Sequence, residues 1–153
     1  MKQPLRRLAA WLVVLGAGCS GLTTYPTGPG GNLAVQAQMD GGVRAALHIH
    51  RVDAQCRTEY QGTVPLDRPS VALGLPAGQT SYLVVTFDTS SFLGGSRSTS
   101  VGALVTPRAG DRYDLAVRYR DSIYDLALSE SDPRSRQRRA LPRLDLDACR
   151  PRG

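Results

Sequence analysis

From residue 33 onward the chain runs in short stretches that alternate apolar and polar positions. Period-two alternation puts one set of side chains on each face of an extended strand. "NLAVQAQM" sets Leu33, Val35, Ala37 and Met39 on one face, and "VRAALHIHRV" does the same with Val43, Ala45, Leu47 and Ile49. Between them "DGG", Asp40 to Gly42, is a hairpin signal. "TEYQGTVPL" offers Tyr60, Gly62, Val64 and Leu66, and "SVALGL" offers Val71, Leu73 and Leu75. A turn at Pro76 to Gly78 precedes "TSYLVVTFD", which is apolar on both faces and reads as a central strand. "STSVGALVTP" and the turn "RAGD" follow. "RYDLAVRYR" then places Tyr113, Leu115, Val117 and Tyr119 together, and "IYDLALSE" returns with Tyr124, Leu126 and Leu128. Turn-bounded strands at this spacing predict an all-β fold, a single sandwich of about seven to eight antiparallel strands. Helical spacing is not sustained anywhere in this region. "DPRSRQRRALPRLDL" is limited by Pro133 and Pro142 and reads as a basic loop leading to a short extended piece near Leu144 to Leu146.

The start of the chain follows a different pattern. "MKQPLRR" carries Lys2, Arg6 and Arg7 without an acid, and "LAAWLVVLGAG" is apolar with small residues at its end. This is the layout of a secretory signal helix. Its apolar run is about ten residues, against about 20 for a membrane span. "LGAGC" resembles the lipobox of bacterial lipoproteins, with Gly16 where that family usually has Leu and Leu15 one step earlier. The resemblance implies a diacylglycerol on the Cys19 thiol, followed by cleavage just before Cys19. Two or more acyl chains suffice for stable anchoring. In Gram-negative lipoproteins, a Ser after the cysteine goes with sorting to the outer membrane, and Ser20 holds that place. The expected organisation is therefore a signal peptide at 1–18, a lipidated cysteine and linker at 19–32, and the sandwich at 33–153. The linker "SGLTTYPTGPGGN" is rich in Gly, Pro, Ser and Thr and carries no charge, as a flexible tether does.

Charge and cysteine content narrow the function classes. The chain of 153 residues has 19 basic and 13 acidic residues. Removing the three basic residues of the signal leaves sixteen bases against 13 acids, a mild excess of about three. Nucleic acid is not an expected partner for such an exported chain. With Cys19 carrying lipid, Cys56 and Cys149 remain as an even pair, which in an oxidising compartment reads as a disulfide. In the chain-entropy model a loop of that length gives roughly 4–5 kcal/mol.

"LPAGQTSYLVV" at 75–85 and "TPRAGDRYDLAV" at 106–117 share Pro, Ala-Gly, Tyr and then an apolar strand. The phrase resembles the turn-and-strand of transthyretin-like and carboxypeptidase-regulatory-like sandwiches. The body is also similar in style to Gram-negative lipoproteins whose role is unknown. Transthyretin-like lipoproteins serve as accessory subunits of envelope-spanning secretion machines, so the resemblance implies a non-catalytic accessory or binding role at the envelope, with an envelope protein as partner. No cofactor is expected beyond the acyl anchor on Cys19.

Four stretches carry candidate chemistry. His48 and His50 stand at i and i+2 on one strand face, where copper or zinc would suit two imidazoles. They suggest an alternative role as a periplasmic metal or small-ligand carrier. They equally suit a plain polar strand face. "RSRQRR" supplies Arg134, Arg136, Arg138 and Arg139, which fit an anionic headgroup, a phosphate, an acidic partner, or a solvated loop. "SSFLGGSRSTS" at 90–100 puts Phe92 and Leu93 at a Gly/Ser-rich tip, as a partner contact or as a cover on the core. Enzyme signatures are thin: there is no GxSxG, the two glutamates Glu59 and Glu130 lie far apart in sequence, and Asp40, Asp88, Asp111 and Asp121 sit at turns.

Overall fold

A computed structural model describes residues 22–91, 94–135 and 137–151. These residues form nine strands: β1 Leu33–Met39, β2 Arg44–Val52, β3 Thr58–Pro65, β4 Ser70–Leu73, β5 Ser81–Ser91, β6 Gly95–Val105, β7 Arg112–Arg120, β8 Ile123–Ser131 and β9 Arg138–Leu141. They pack as two sheets, β4-β1-β7-β8-β9 and β3-β2-β5-β6. The alternating positions face inward. Leu33, Val35, Leu47, Leu83, Val85, Phe87, Leu115 and Val117 are fully buried. The two-residue loop Asp121–Ser122 has both φ angles positive (51° and 64°), the twist that matches a tight hairpin and brings Arg120 opposite Ile123. Among the described residues no buried side-chain nitrogen or oxygen lacks a hydrogen-bond partner.

Besides the turn at Asp40 to Gly42, which leads from β1 of one sheet to β2 of the other and closes no hairpin, four features depart from the sequence reading. First, β1 pairs β7 in parallel, from Leu33 opposite Tyr113 to Met39 opposite Tyr119, whereas its other neighbour β4 is antiparallel. Alternation fixes which face is buried, not the direction of the neighbour. Second, β9 is a strand on the edge of β8, with Ser129 opposite Ala140 and Glu130 opposite Arg139, where a basic loop was expected. Beyond it, the expected extended piece is a 3₁₀ turn at Leu146–Ala148, capped by the Asp145 carboxylate. Third, the pairing of β2 with β3 shifts between Ile49 and His50, so Gln61 is an extra residue in a bulge. Tyr60 therefore leaves the core face, where its spacing to Val64 had placed it, and stands 38% exposed beside His50.

The fourth departure concerns the linker. Residues 22–32 lie along the sandwich. Thr63 N–H donates to the Thr23 carbonyl at 2.8 Å, and Tyr25 N–H donates to the Thr63 carbonyl at 3.0 Å. Thr24 bridges Thr63 on the β3 edge, and Thr27 bridges Leu73 on the β4 edge of the other sheet. Packed sheets lie ~10 Å apart, and three extended residues cover that distance. The strap thus closes one side of the sandwich from sheet to sheet. Tyr25 packs against the core and donates from its hydroxyl to the Gly74 carbonyl at 2.7 Å. Gly62 makes the fit possible: a Cβ there would lie 2.8 Å from Tyr25 N, and its φ of +152° is one that side chains rarely adopt.

Candidate binding surface

The outer face of β3-β2-β5-β6 gathers the chemistry-bearing side chains. Cross-strand partners share a face, so His48 stands beside Thr63 and Val84, and His50 stands between Tyr60 and Tyr82. The His50 ring is 5.5 Å from Tyr60 and 6.4 Å from Tyr82, centroid to centroid. Partial burial, and then repulsion from His48, lower the His50 pKa.

A hydrogen-bond chain links His48 to the N-terminal strap. Tyr60 Oη donates to the Thr23 carbonyl at 3.2 Å. Tyr60 Oη and Thr63 Oγ1 share a hydrogen bond at 2.6 Å. Thr63 Oγ1 also hydrogen-bonds His48 Nδ1 at 2.7 Å. The chain holds the His48 ring by its Nδ1 edge.

The C-terminal tail reaches the same face from the β6 edge of the sheet. Leu104 N–H donates to the Leu144 carbonyl at 2.7 Å. Tyr82 lies over Gly102, where a Cβ would be 2.2 Å from the phenol oxygen, and donates its hydroxyl to the Asp145 carboxylate. Burial, and then the carboxylates of Asp145 and Asp147, push the Tyr82 phenol up to about 12. Asp145 is held below the usual carboxylate range, first by the Tyr82 hydroxyl and then by the Leu146 N–H. The tail ends in the Cys56–Cys149 disulfide, which joins positions 93 apart in sequence. Between tail and sheet lies an open cleft of about 340 Å³ lined by Val52, Thr80, Leu104, Leu144 and Cys149.

No family model matches the chain, and no curated protein matches it. Solved structures do. The fold is similar to that of transthyretin. The transthyretin of Sparus aurata is 16% identical with a TM-score of 0.48, over 65% of this chain and 97% of that one. Sea bream transthyretin in complex with thyroxine is 16% identical with a TM-score of 0.46, over 63% and 93%.

The sequence-derived candidates fall in four places. Cys56 and Cys149 are bonded. His48 and His50 share one face, and among the described residues no group of three or more His, Cys, Asp or Glu side chains is placed to hold a metal ion. Of the basic run, Arg138 and Arg139 lie on β9 and Arg134 in the exposed turn before it, with its N–H on the Asp132 carboxylate. Arg138 donates to Ser129 Oγ at 2.9 Å and pairs with Asp114 at 3.6 Å. Arg139 pairs with Glu130, which Arg108 also approaches at 3.8 Å. These two arginines thus fasten the edge strand. Cys19, Phe92, Leu93 and Arg136 lie outside the described residues.

Sequence reasoning missed Tyr60, Thr63, Tyr82 and Asp145 as members of the surface. The signal for Tyr60 was Gly62: a glycine inside a strand marks a bulge or a close backbone approach, and here it marks both.

Proposed function

We propose that this chain is an exported, lipid-anchored envelope protein that serves as a non-catalytic binding or accessory module at the outer membrane surface. The observation that carries the reading is the Cys56–Cys149 disulfide, a bond typical of oxidising compartments. The placement of the polar side chains agrees with a binding role. His48, His50 and Tyr82 stand on the outer face of a sheet, where a partner's surface reaches them more readily than a small substrate is enclosed by them. The test is purification of the tagged full-length chain from gently solubilised membranes. A near-stoichiometric envelope protein is expected, lost when Phe92 and Leu93, or Arg134 and Arg136, are changed to Ser, while Arg138 and Arg139, which fasten β9, are left in place. Nothing enriched over residues 1–32 fused to an unrelated domain would contradict the accessory role.

A second reading, a metal or small-ligand carrier, is favoured by His48 and His50 standing on the same outer strand face. It calls for stoichiometric copper or zinc on the purified chain that disappears with His48→Ala plus His50→Ala. A metal content unchanged by those substitutions would dismiss it.

A further inference from the structure

The position of the N-terminal strap bears on how the domain sits on a membrane. A glycine- and proline-rich linker would let a domain stand away from the bilayer. Here the chain is already fastened at Thr23 and Thr24, on the β3 edge. From Cys19 to Leu22 there are three residue steps, which span at most ~11 Å when fully extended. An acylated Cys19 therefore keeps the β3 edge within about one strand-length of the headgroups.

The composition of that corner suits a bilayer surface. Leu22 is 72% exposed and Tyr60 38%, two of the four large hydrophobic residues exposed among those described. They are neighbours, because Tyr60 Oη bonds the Thr23 carbonyl. A tyrosine with one apolar face and one polar tip fits the membrane–water boundary. The carboxylates of this corner do not stand alone: Glu59 pairs with Arg51, and Asp53 pairs with Arg57 at 2.7 Å. An anionic headgroup thus meets no bare acid from these two residues.

We infer that the β3 edge, with Leu22, Tyr60 and the bulge residue Gln61, rests on the lipid surface. The inference depends on Cys19 being the acylated residue. It also sets the far side of the molecule. In the order β3-β2-β5-β6, the β6 edge lies three strand spacings away, ~14 Å further from the bilayer. The β5–β6 hairpin is then presented outward to partners, and the β3 edge is withheld from them.

The experiment uses the full-length chain, extracted from membranes and reconstituted in vesicles of phosphatidylethanolamine and phosphatidylglycerol. These contain phosphatidylcholine with a nitroxide on its headgroup as quencher. The one native tryptophan, Trp11, lies in the expected signal peptide, so an introduced tryptophan reports alone. Gln61→Trp should lose most of its emission, and Ile123→Trp, exposed on the β7–β8 hairpin, should lose little. Tyr60→Trp serves as the second reporter if Gln61→Trp does not fold. Ten Gly/Ser residues inserted between Gly21 and Leu22 should abolish the difference. Equal quenching at 61 and 123 on a chain whose mass shows acylated Cys19 overturns the orientation and leaves the anchor standing. A mass without acyl groups overturns the anchor, and the orientation falls with it.

Discussion

Removing the Cys56–Cys149 disulfide should destabilise the domain mainly through its unfolded state. The bond joins positions 93 apart in sequence, most of the sandwich. Closing a loop of that size removes unfolded-chain entropy corresponding to about 4–5 kcal/mol at 25 °C. A domain of this kind has a total stability of ~5–15 kcal/mol, so the loss takes about a quarter of it or more. The native tail has other fastenings, the Leu144 carbonyl on Leu104 N–H and Asp145 on Tyr82. Cys56→Ser with Cys149→Ser should therefore keep the native near-ultraviolet spectrum while its urea midpoint falls. The denaturant slope should rise, because an uncrosslinked unfolded chain exposes more surface. Urea titrations of the oxidised, reduced and doubly substituted chains measure both quantities. A double variant less than ~1 kcal/mol below the oxidised chain with an unchanged slope would refute the loop-closure reasoning. A low midpoint with a lost near-ultraviolet spectrum would place the effect in the native state.

Asp145→Asn should bring the Tyr82 phenol down from about 12 towards its ordinary value of 10.0, read by absorbance on alkaline titration. A pKa raised by folding contributes stability below pH 10 that is lost as pH climbs towards 12, so the variant should lose less stability across that window than the parent. Folding lowers the His50 pKa below 6.5, so stability is complete above that pH and falls as the unfolded chain takes up the proton first. His50→Gln should then show a smaller drop in urea midpoint between pH 7.5 and pH 5.5, and an identical drop would argue against it. Gly62→Ala drives a Cβ against Tyr25 N at a φ of +152° and should cost about 1–3 kcal/mol. Amide exchange at Tyr25 and Gly28 should quicken as the strap loosens, and unchanged exchange there would mean that the strap tolerates the added methyl.

The faces of the main strands were legible in the alternation. Leu33 and Val35, Leu47 and Ile49, Val71 and Leu73, and Leu115 and Val117 are buried as their spacing requires. So is the central place of β5, whose Leu83, Val85 and Phe87 fill the core while Tyr82, Val84 and Thr86 cover the outer face. What escaped the sequence is held by backbone groups or by neighbours distant in the chain. "RRAL" has little strand character of its own and becomes β9 because β8 offers a bare edge. The strap is composed like a linker, and its attachments at Thr23, Tyr25 and Gly28 are main-chain bonds, with the Tyr25 ring as its bulky anchor. Tyr60 changed faces because one extra residue in a strand inverts the alternation beyond it. The polar surface of His48, His50, Tyr60 and Tyr82 therefore needed the register of three strands, and sequence offered only its first two members.

The most direct measurement is the intact mass of the full-length gene product, recovered from the membrane fraction of a Gram-negative host and compared before and after reduction. An anchored envelope module should begin at Cys19, carry diacylglycerol and a further acyl chain, and gain two hydrogens on reduction as Cys56 and Cys149 open. A chain found in the soluble fraction with residues 1–18 still attached, or one whose Cys19 has no lipid, would contradict the account.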